Sequence, residues 1–151
     1  MLNYMRIIRE KAGHIPVVVC GASVIVVNKY GEILLHRRND NNLWAYPGGA
    51  VDVDEPVQDA AIREIYEETG LKIKELSLFG VYSGEDMHHI YPNGDEISNV
   101  DIVFISRVFE GNLSPDNVES CELRFFSLKD IPHDISPPCR RAINDYINSR
   151  K

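Results

Sequence analysis

Three glutamates near the middle of the chain, Glu64, Glu67 and Glu68, stand at positions i, i+3 and i+4. On a helix that spacing sends all three carboxylates out from one face, where like charges work against one another. A hard divalent cation removes the conflict. Magnesium and manganese prefer carboxylate oxygens, and they leave coordination sites for water and for a substrate's phosphate oxygens. Gly49 and Glu55 precede the cluster, Arg63 adjoins it, and Gly70-Leu71 ends it. The chemistry within reach is hydrolysis of a phosphate anhydride, which needs its charge masked, a water held in line and a proton removed. A plain solvated acidic face would not need this frame of glycine, proline and arginine.

Residues 49–71 resemble the Nudix box, G-x5-E-x7-R-E-U-x-E-E-x-G-U with U aliphatic. Gly49, Glu55, Arg63, Glu64, Ile65, Glu67, Glu68, Gly70 and Leu71 meet every specified position. With about 7% usage for each fixed residue type, such a match arises by chance at roughly 10⁻⁸ per starting position. Weaker similarity runs through Leu34-Leu35-His36-Arg37-Arg38, the approach from Trp44 to Gly49, and the Glu-x-Arg-Phe-Phe segment from Glu122. The resemblance implies an α/β fold: an α/β/α sandwich around a mixed sheet, with the box forming a loop-helix-loop. It also implies cleavage of the pyrophosphate of a nucleoside diphosphate linked to another moiety, either a nucleotide sugar such as ADP-ribose or a nucleoside triphosphate. Members that cleave ADP-ribose often carry a proline about sixteen residues beyond the box. Here that neighbourhood is Asp86-Met87-His88, and the next proline is Pro92.

By the same resemblance Glu64, Glu67 and Glu68 bind Mg²⁺, with Mn²⁺ as a substitute. A backbone carbonyl at Gly48 or Gly49 completes the shell, and Gly49 is the one assigned here. The general base is Glu64 itself or a carboxylate on the late loop 114–121, where Glu119 is best placed and Glu122 comes second. Arg63 and Glu55 are supporting residues: Arg63 is in such proteins more often an ion-pair partner than a substrate ligand, and Glu55 is a helix-start acid, a group behind the metal ligands or an occasional ligand itself. Arg37 and Arg38 end a strand that edges the cleft, and alternation lets only one of them face it. Arg37 is taken as the phosphate contact, and Tyr46 and Tyr91 as aromatics for a base. Trp44 reads as core. His88 and His89 are adjacent on a strand, point to opposite faces, and are assigned no role.

Several elements must hold these groups. A short helix is expected over 2–12, with Leu2, Met5, Ile8 and Ala12 along one face. Apolar runs at 17–27 and 33–36, separated by Asn28-Lys29-Tyr30-Gly31, read as a hairpin. The box helix is expected over 56–69, with Asp54 as N-cap, Pro56 in the first turn and Gly70 as the stop. Its opposite face, Ala61, Ile62, Ile65 and Thr69, suits a sheet. That leaves the three acids facing solvent. Further strands are expected over 73–82, 88–91, 97–109 and 123–127, the middle two joined by the turn at Asn93-Gly94. A last helix follows Ser136-Pro137-Pro138, with Ala142, Ile143, Tyr146 and Ile147 on its apolar face.

The chain has 151 residues, 44% of them apolar and 26% charged, which suits one soluble globular domain over 1–151. Sixteen basic residues against twenty-three acidic ones give a net charge of −7. That balance argues against a stable nucleic-acid partner or an anionic membrane, while a metal can still bring in a small anionic nucleotide. Three cysteines without metal-ligand spacing read as reduced thiols of a cytoplasmic protein, and a homodimer stays open. The alternative class is a non-catalytic Nudix-fold nucleotide sensor. Such proteins commonly lose box carboxylates and add a DNA-binding domain, whereas this chain keeps every carboxylate.

Overall fold

The computed structural model describes residues 3–151, so Leu2 of the expected N-terminal helix lies outside the described residues. Helix α1 (Tyr4–Ala12) is capped by Asn3, whose side chain accepts from Arg6 N–H at 3.0 Å. None of its residues is fully buried; Met5, Ile8 and Ala12 are half-covered.

Strands β1 (Val17–Val26) and β2 (Ile33–Arg38) do not form the expected hairpin. They touch at a single bridge, Val27 to Ile33, and then part into different sheets. Each strand gains a longer partner by separating. β1 runs parallel to β8 (Glu96–Ser106) from Val17↔Ile97 to Val26↔Ser106, while β2 runs antiparallel to β10 (Ser120–Phe126). Short β3 (Trp44–Ala45) completes the β2 sheet, and β4 (Gly48–Ala50) adds to the free edge of β1. Glycine-rich β4 is what brings the box loop against β1.

The box helix α2 (Val57–Thr69) starts one residue later than expected, and Asp54 does not cap it. Pro56 precedes the first turn without a side-chain cap, and Asp54 sits in the loop at φ 61°. The loop is shaped instead by Glu55, which turns inward to Arg63 and accepts from Asp52 N–H at 3.0 Å. At the other end Gly70 takes φ 78° and its N–H donates to Tyr66 O, as the stop requires.

The expected strand over 73–82 is broken into β5 (Lys72–Ile73) and β6 (Ser77–Tyr82). The strand over 97–109 likewise divides into β8 and β9 (Phe109–Glu110), with β9 pairing β5. β7 (His88–Ile90) and β8 do form the expected hairpin, closed by Tyr91 N–H to Asp95 O at 2.8 Å. Helix α3 (Pro137–Ser149) follows Ser136 and buries Ala142, Ile143 and Tyr146.

Two apolar clusters make three layers. Ala60, Ala61 and Ile65 of α2 pack with Ala22, Val24, Val26 and Leu34. Ala142, Ile143 and Tyr146 of α3 pack with Ile25, Val27, Ile33 and Leu35. Strand alternation therefore gives β1 and β2 one face to each helix, the α/β/α arrangement around a mixed sheet. Ile62, expected on the buried face of α2, is exposed, and Ala60 takes its place. Among the described residues no helix is long and apolar enough to cross a membrane.

Gly70 tests the coupling of turn to fold. Gly70→Ala forces a side chain into a left-handed backbone and puts its Cβ 3.1 Å from Asn112 O. The expected cost is about 1–2 kcal/mol. That lowers the melting temperature by roughly 3–6 °C for a domain of this size. An unchanged melting temperature would show that the turn relaxes freely.

Candidate active site

Arg63 organises the acidic end of the site. Its Nε and Nη2 donate to the two oxygens of Glu55 at 2.7 and 3.0 Å, and Nη2 also reaches Ala50 O at 3.2 Å. Nη1 donates to Glu64 at 2.8 Å and, more weakly, to Glu67 at 3.4 Å. The guanidinium thus ties the loop to the helix and holds the Glu55 carboxyl below its ordinary pKa.

The three box carboxylates sit in different environments. Glu67 is largely exposed, with 52% of its side chain accessible, whereas Glu68 is only 3% exposed. The expectation of three acids facing water fails at Glu68, because the buried stripe of α2 runs through Ile65, Glu68 and Thr69. Glu68 accepts from Gly48 N–H at 3.2 Å. Burial raises its pKa well above the usual carboxylate range, and the charges of Glu64 and Glu119 push the same way. Glu64 is shifted up as well, first by burial, against the pull of Arg63. Gly49 is pressed on Glu64: a Cβ there would come within 2.5–2.6 Å of both carboxylate oxygens, so any side chain at 49 would displace that carboxylate. Glu119, on its exposed loop, faces the same compartment, near enough for its charge to act on the Glu68 carboxyl. Glu64, Glu68 and Glu119 line one compartment of about 640 Å³, together with Gly48, Gly49 and Arg38. Glu122 instead lies near Arg37 and Arg124, each at 4.0 Å.

Buried acids drawn together, with Glu64 sharing Arg63 and no lysine or arginine paired to Glu68 among the described residues, suit a hard cation in charge and in donor type. Among the described residues no three His, Cys, Asp or Glu side chains stand together at ligand distances. Glu67 points to Arg63, so it would have to swing across to join Glu64 and Glu68.

The acidic compartment continues into a second one of about 500 Å³, and the two share His36, Arg38, Gly48, Gly49 and Tyr91. The cleft opens where β1 and β2 diverge beyond their single bridge. Arg38 lines it, held by a bidentate pair with Asp40 at 2.9 and 2.7 Å. Arg37 lies on the opposite side of the strand, over the Trp44 ring, and lines neither compartment. Tyr91 sits at the junction, edge-on to His89. Tyr46 lines the second compartment, is 5% exposed and donates its O–H to Asp101 at 3.1 Å. Trp44 is core, edge-on to Phe126. His88 pairs with Glu96 at 2.6 Å while His89 faces the cleft, so the two rings do point apart.

Sequence reasoning missed three polar residues of the cleft, His36, Asn99 and Asp101, and took Arg37 for the phosphate contact where Arg38 faces the cleft. Their signal was polar residues at alternate positions within otherwise apolar strands, 36 and 38 in one and 99 and 101 in the other. His36 is 4% exposed and shares a short hydrogen bond with Ser120 Oγ at 2.5 Å. Burial and then Arg38 lower its pKa to about 4, which keeps the ring neutral.

The NUDIX domain family model matches residues 19–146. A putative 8-oxo-dGTP diphosphatase of Bacillus subtilis is 35% identical over 131 residues, 85% of this chain and 79% of that protein. An ADP-ribose pyrophosphatase of Methanocaldococcus jannaschii is 39% identical over 125 residues, 81% of this chain and 69% of that protein. Among solved structures, a MutT NUDIX hydrolase from Burkholderia pseudomallei superposes with a TM-score of 0.72 at 30% identity, covering 85% of this chain and 97% of that one.

The buried neutral His36 has a consequence for stability. Between pH 6.5 and about 4 the unfolded chain binds a proton at this position that the folded chain refuses, so stability falls as pH falls through that window. The term is at most about 3 kcal/mol. His36→Gln should flatten that part of the stability–pH profile, measured by denaturant titration. Equal slopes for the two proteins would remove His36 from the linkage.

Proposed function

This chain belongs to the Nudix family of hydrolases, which act on nucleotide pyrophosphate bonds, and on that premise we propose that it cleaves a nucleoside diphosphate linked to a further group. One observation carries the reading: a compartment of buried acids opens directly into a second compartment large enough for a nucleoside. Pyrophosphate lies in the first, and the nucleoside lies in the second.

Glu64 and Glu68, joined by Glu67 and by the Gly49 carbonyl, would hold magnesium or manganese. When bound, such a cation masks phosphate charge and acidifies a water. The remaining work belongs to this chain's own residues. Arg38, oriented by Asp40, offers a fixed guanidinium to a phosphate. Arg63 and Glu55 keep the loop and helix in register. Glu119 takes the proton from the attacking water, facing the same compartment as Glu68 from its exposed loop. Glu64 is the other carboxylate within reach, but Arg63 already holds one of its oxygens.

Glu68→Gln should lower kcat by at least about 10²-fold, because a neutral amide is a poor ligand for a hard cation. The metal-free variant should melt no lower than the parent, since the substitution removes a buried charge among like charges. Near-normal turnover at saturating metal would sink the assignment. Glu119→Gln should lower kcat by about 10²–10⁴-fold, the usual worth of general-base catalysis, with the metal dependence of the rate unchanged. If the Glu119 variant keeps turnover within a few-fold of the parent, the base is elsewhere.

A further inference from the structure

Strand β8 lines the nucleoside compartment with two polar side chains, Asn99 and Asp101, at alternate positions. Beside them on β1 is Gly21, whose missing side chain leaves them room. A Cβ there would stand 3.2 Å from Asn99 Oδ1 and 3.3 Å from Asp101 Oδ1. Asp101 is 4% exposed and fixed in place. It accepts from the Ser23 hydroxyl at 2.8 Å and from the Tyr46 hydroxyl at 3.1 Å, one donor to each oxygen. A carboxylate oxygen has two acceptor positions, so one on each oxygen is left over. Among the described residues no lysine or arginine pairs with it. Asn99 is half-buried and lines the same compartment, and its amide has no side-chain partner among the described residues.

We propose that Asn99 and Asp101 read the nucleobase, selecting an edge that carries two adjacent N–H donors next to a carbonyl, the guanine edge, over that of adenine. The proposal rests on the nucleotide-hydrolase reading given above. Guanine's N1–H and 2-amino group match the two free acceptor positions of Asp101, and its O6 matches the amide N–H of Asn99. Adenine puts the bare acceptor N1 against the carboxylate. Uracil has one N–H between two carbonyls, and cytosine has one amino group beside two acceptors. Each of those edges leaves buried polar groups unanswered, which is how a hydrogen-bonding site rejects an analogue.

Affinities of GMP, IMP and AMP for the intact protein test this without turnover, because IMP lacks only the 2-amino group. GMP should bind about 10–100-fold more tightly than IMP, the worth of one hydrogen bond to a charged group, and AMP should bind more weakly still. Asp101→Asn should erase the difference between GMP and IMP. Asn99→Leu, which removes an amide the protein itself does not use, should weaken GMP and IMP together and leave AMP unchanged. This second variant carries the test if Asp101→Asn does not fold. Equal affinities of the three nucleotides for the parent protein would overturn the proposal. Hydrolysis of GTP, ITP and ATP, measured in parallel, keeps the two readings apart. Selective binding of GMP with no hydrolysis of any nucleotide would strike the activity and support the base reading. Hydrolysis with equal kcat/KM for all three would strike the base reading alone.

Discussion

The acidic end of the molecule depends on one guanidinium being shared among more carboxylates than it can neutralise. Arg63 gives its fork to Glu55, one nitrogen to Glu64 and a long contact to Glu67, while Glu68 receives only the backbone N–H of Gly48. Were the pairing complete, the site would be an ordinary ion-pair network with nothing left for a ligand. Because it is incomplete, a buried carboxyl is held at high energy beside Glu64 and Glu119, and a ligand that brings positive charge relieves it. The same guanidinium fixes the loop through Ala50 O and Glu55, so the geometry of the unsatisfied acids and the path of the chain into β4 share one cause.

The cleft has its own origin in strand pairing. β1 and β2 follow one another in sequence, yet a single bridge joins them, and the space between their diverging ends is where ligand can enter. One end of that space is acidic and the other is built for directional hydrogen bonds. The two relatives compared with this chain carry names that specify different nucleotides, and they are comparably similar to it.

Local features of the box were legible in the sequence because their causes are local. The spacing of Glu64, Glu67 and Glu68, the stop at Gly70 and the turn closing β7 onto β8 each follow from a few neighbouring residues. The failures came from contacts distant in sequence. The depth of Glu68 depends on how far α2 sinks onto β1, which a helical wheel does not encode. Which of Arg37 and Arg38 faces the cleft depends on the phase of β2 between β10 and β3. Asp54 has the right chemistry for a cap, but Glu55's bond to Arg63, eight residues on, draws the loop away from that geometry. The hairpin expected from 17–27 and 33–36 lost to a parallel pairing with residues some eighty positions later.

Helix α1 also shapes how binding would be measured. Asn3 and Met5 line both compartments, yet the helix buries no residue completely. Nine residues are too few for a helix to persist alone in water. Its main tether is Arg9, which donates to Ile15 O at 2.8 Å, to Gly13 O at 3.2 Å, and to Glu96 O across the β7–β8 hairpin. One wall of the cleft is therefore the element with the least cohesion of its own. A ligand that touches Asn3 or Met5 also bears on the coil-to-helix equilibrium of residues 4–12. The enthalpy and heat capacity of its association then contain a folding contribution, and both vary with temperature more steeply than the contact area alone would give.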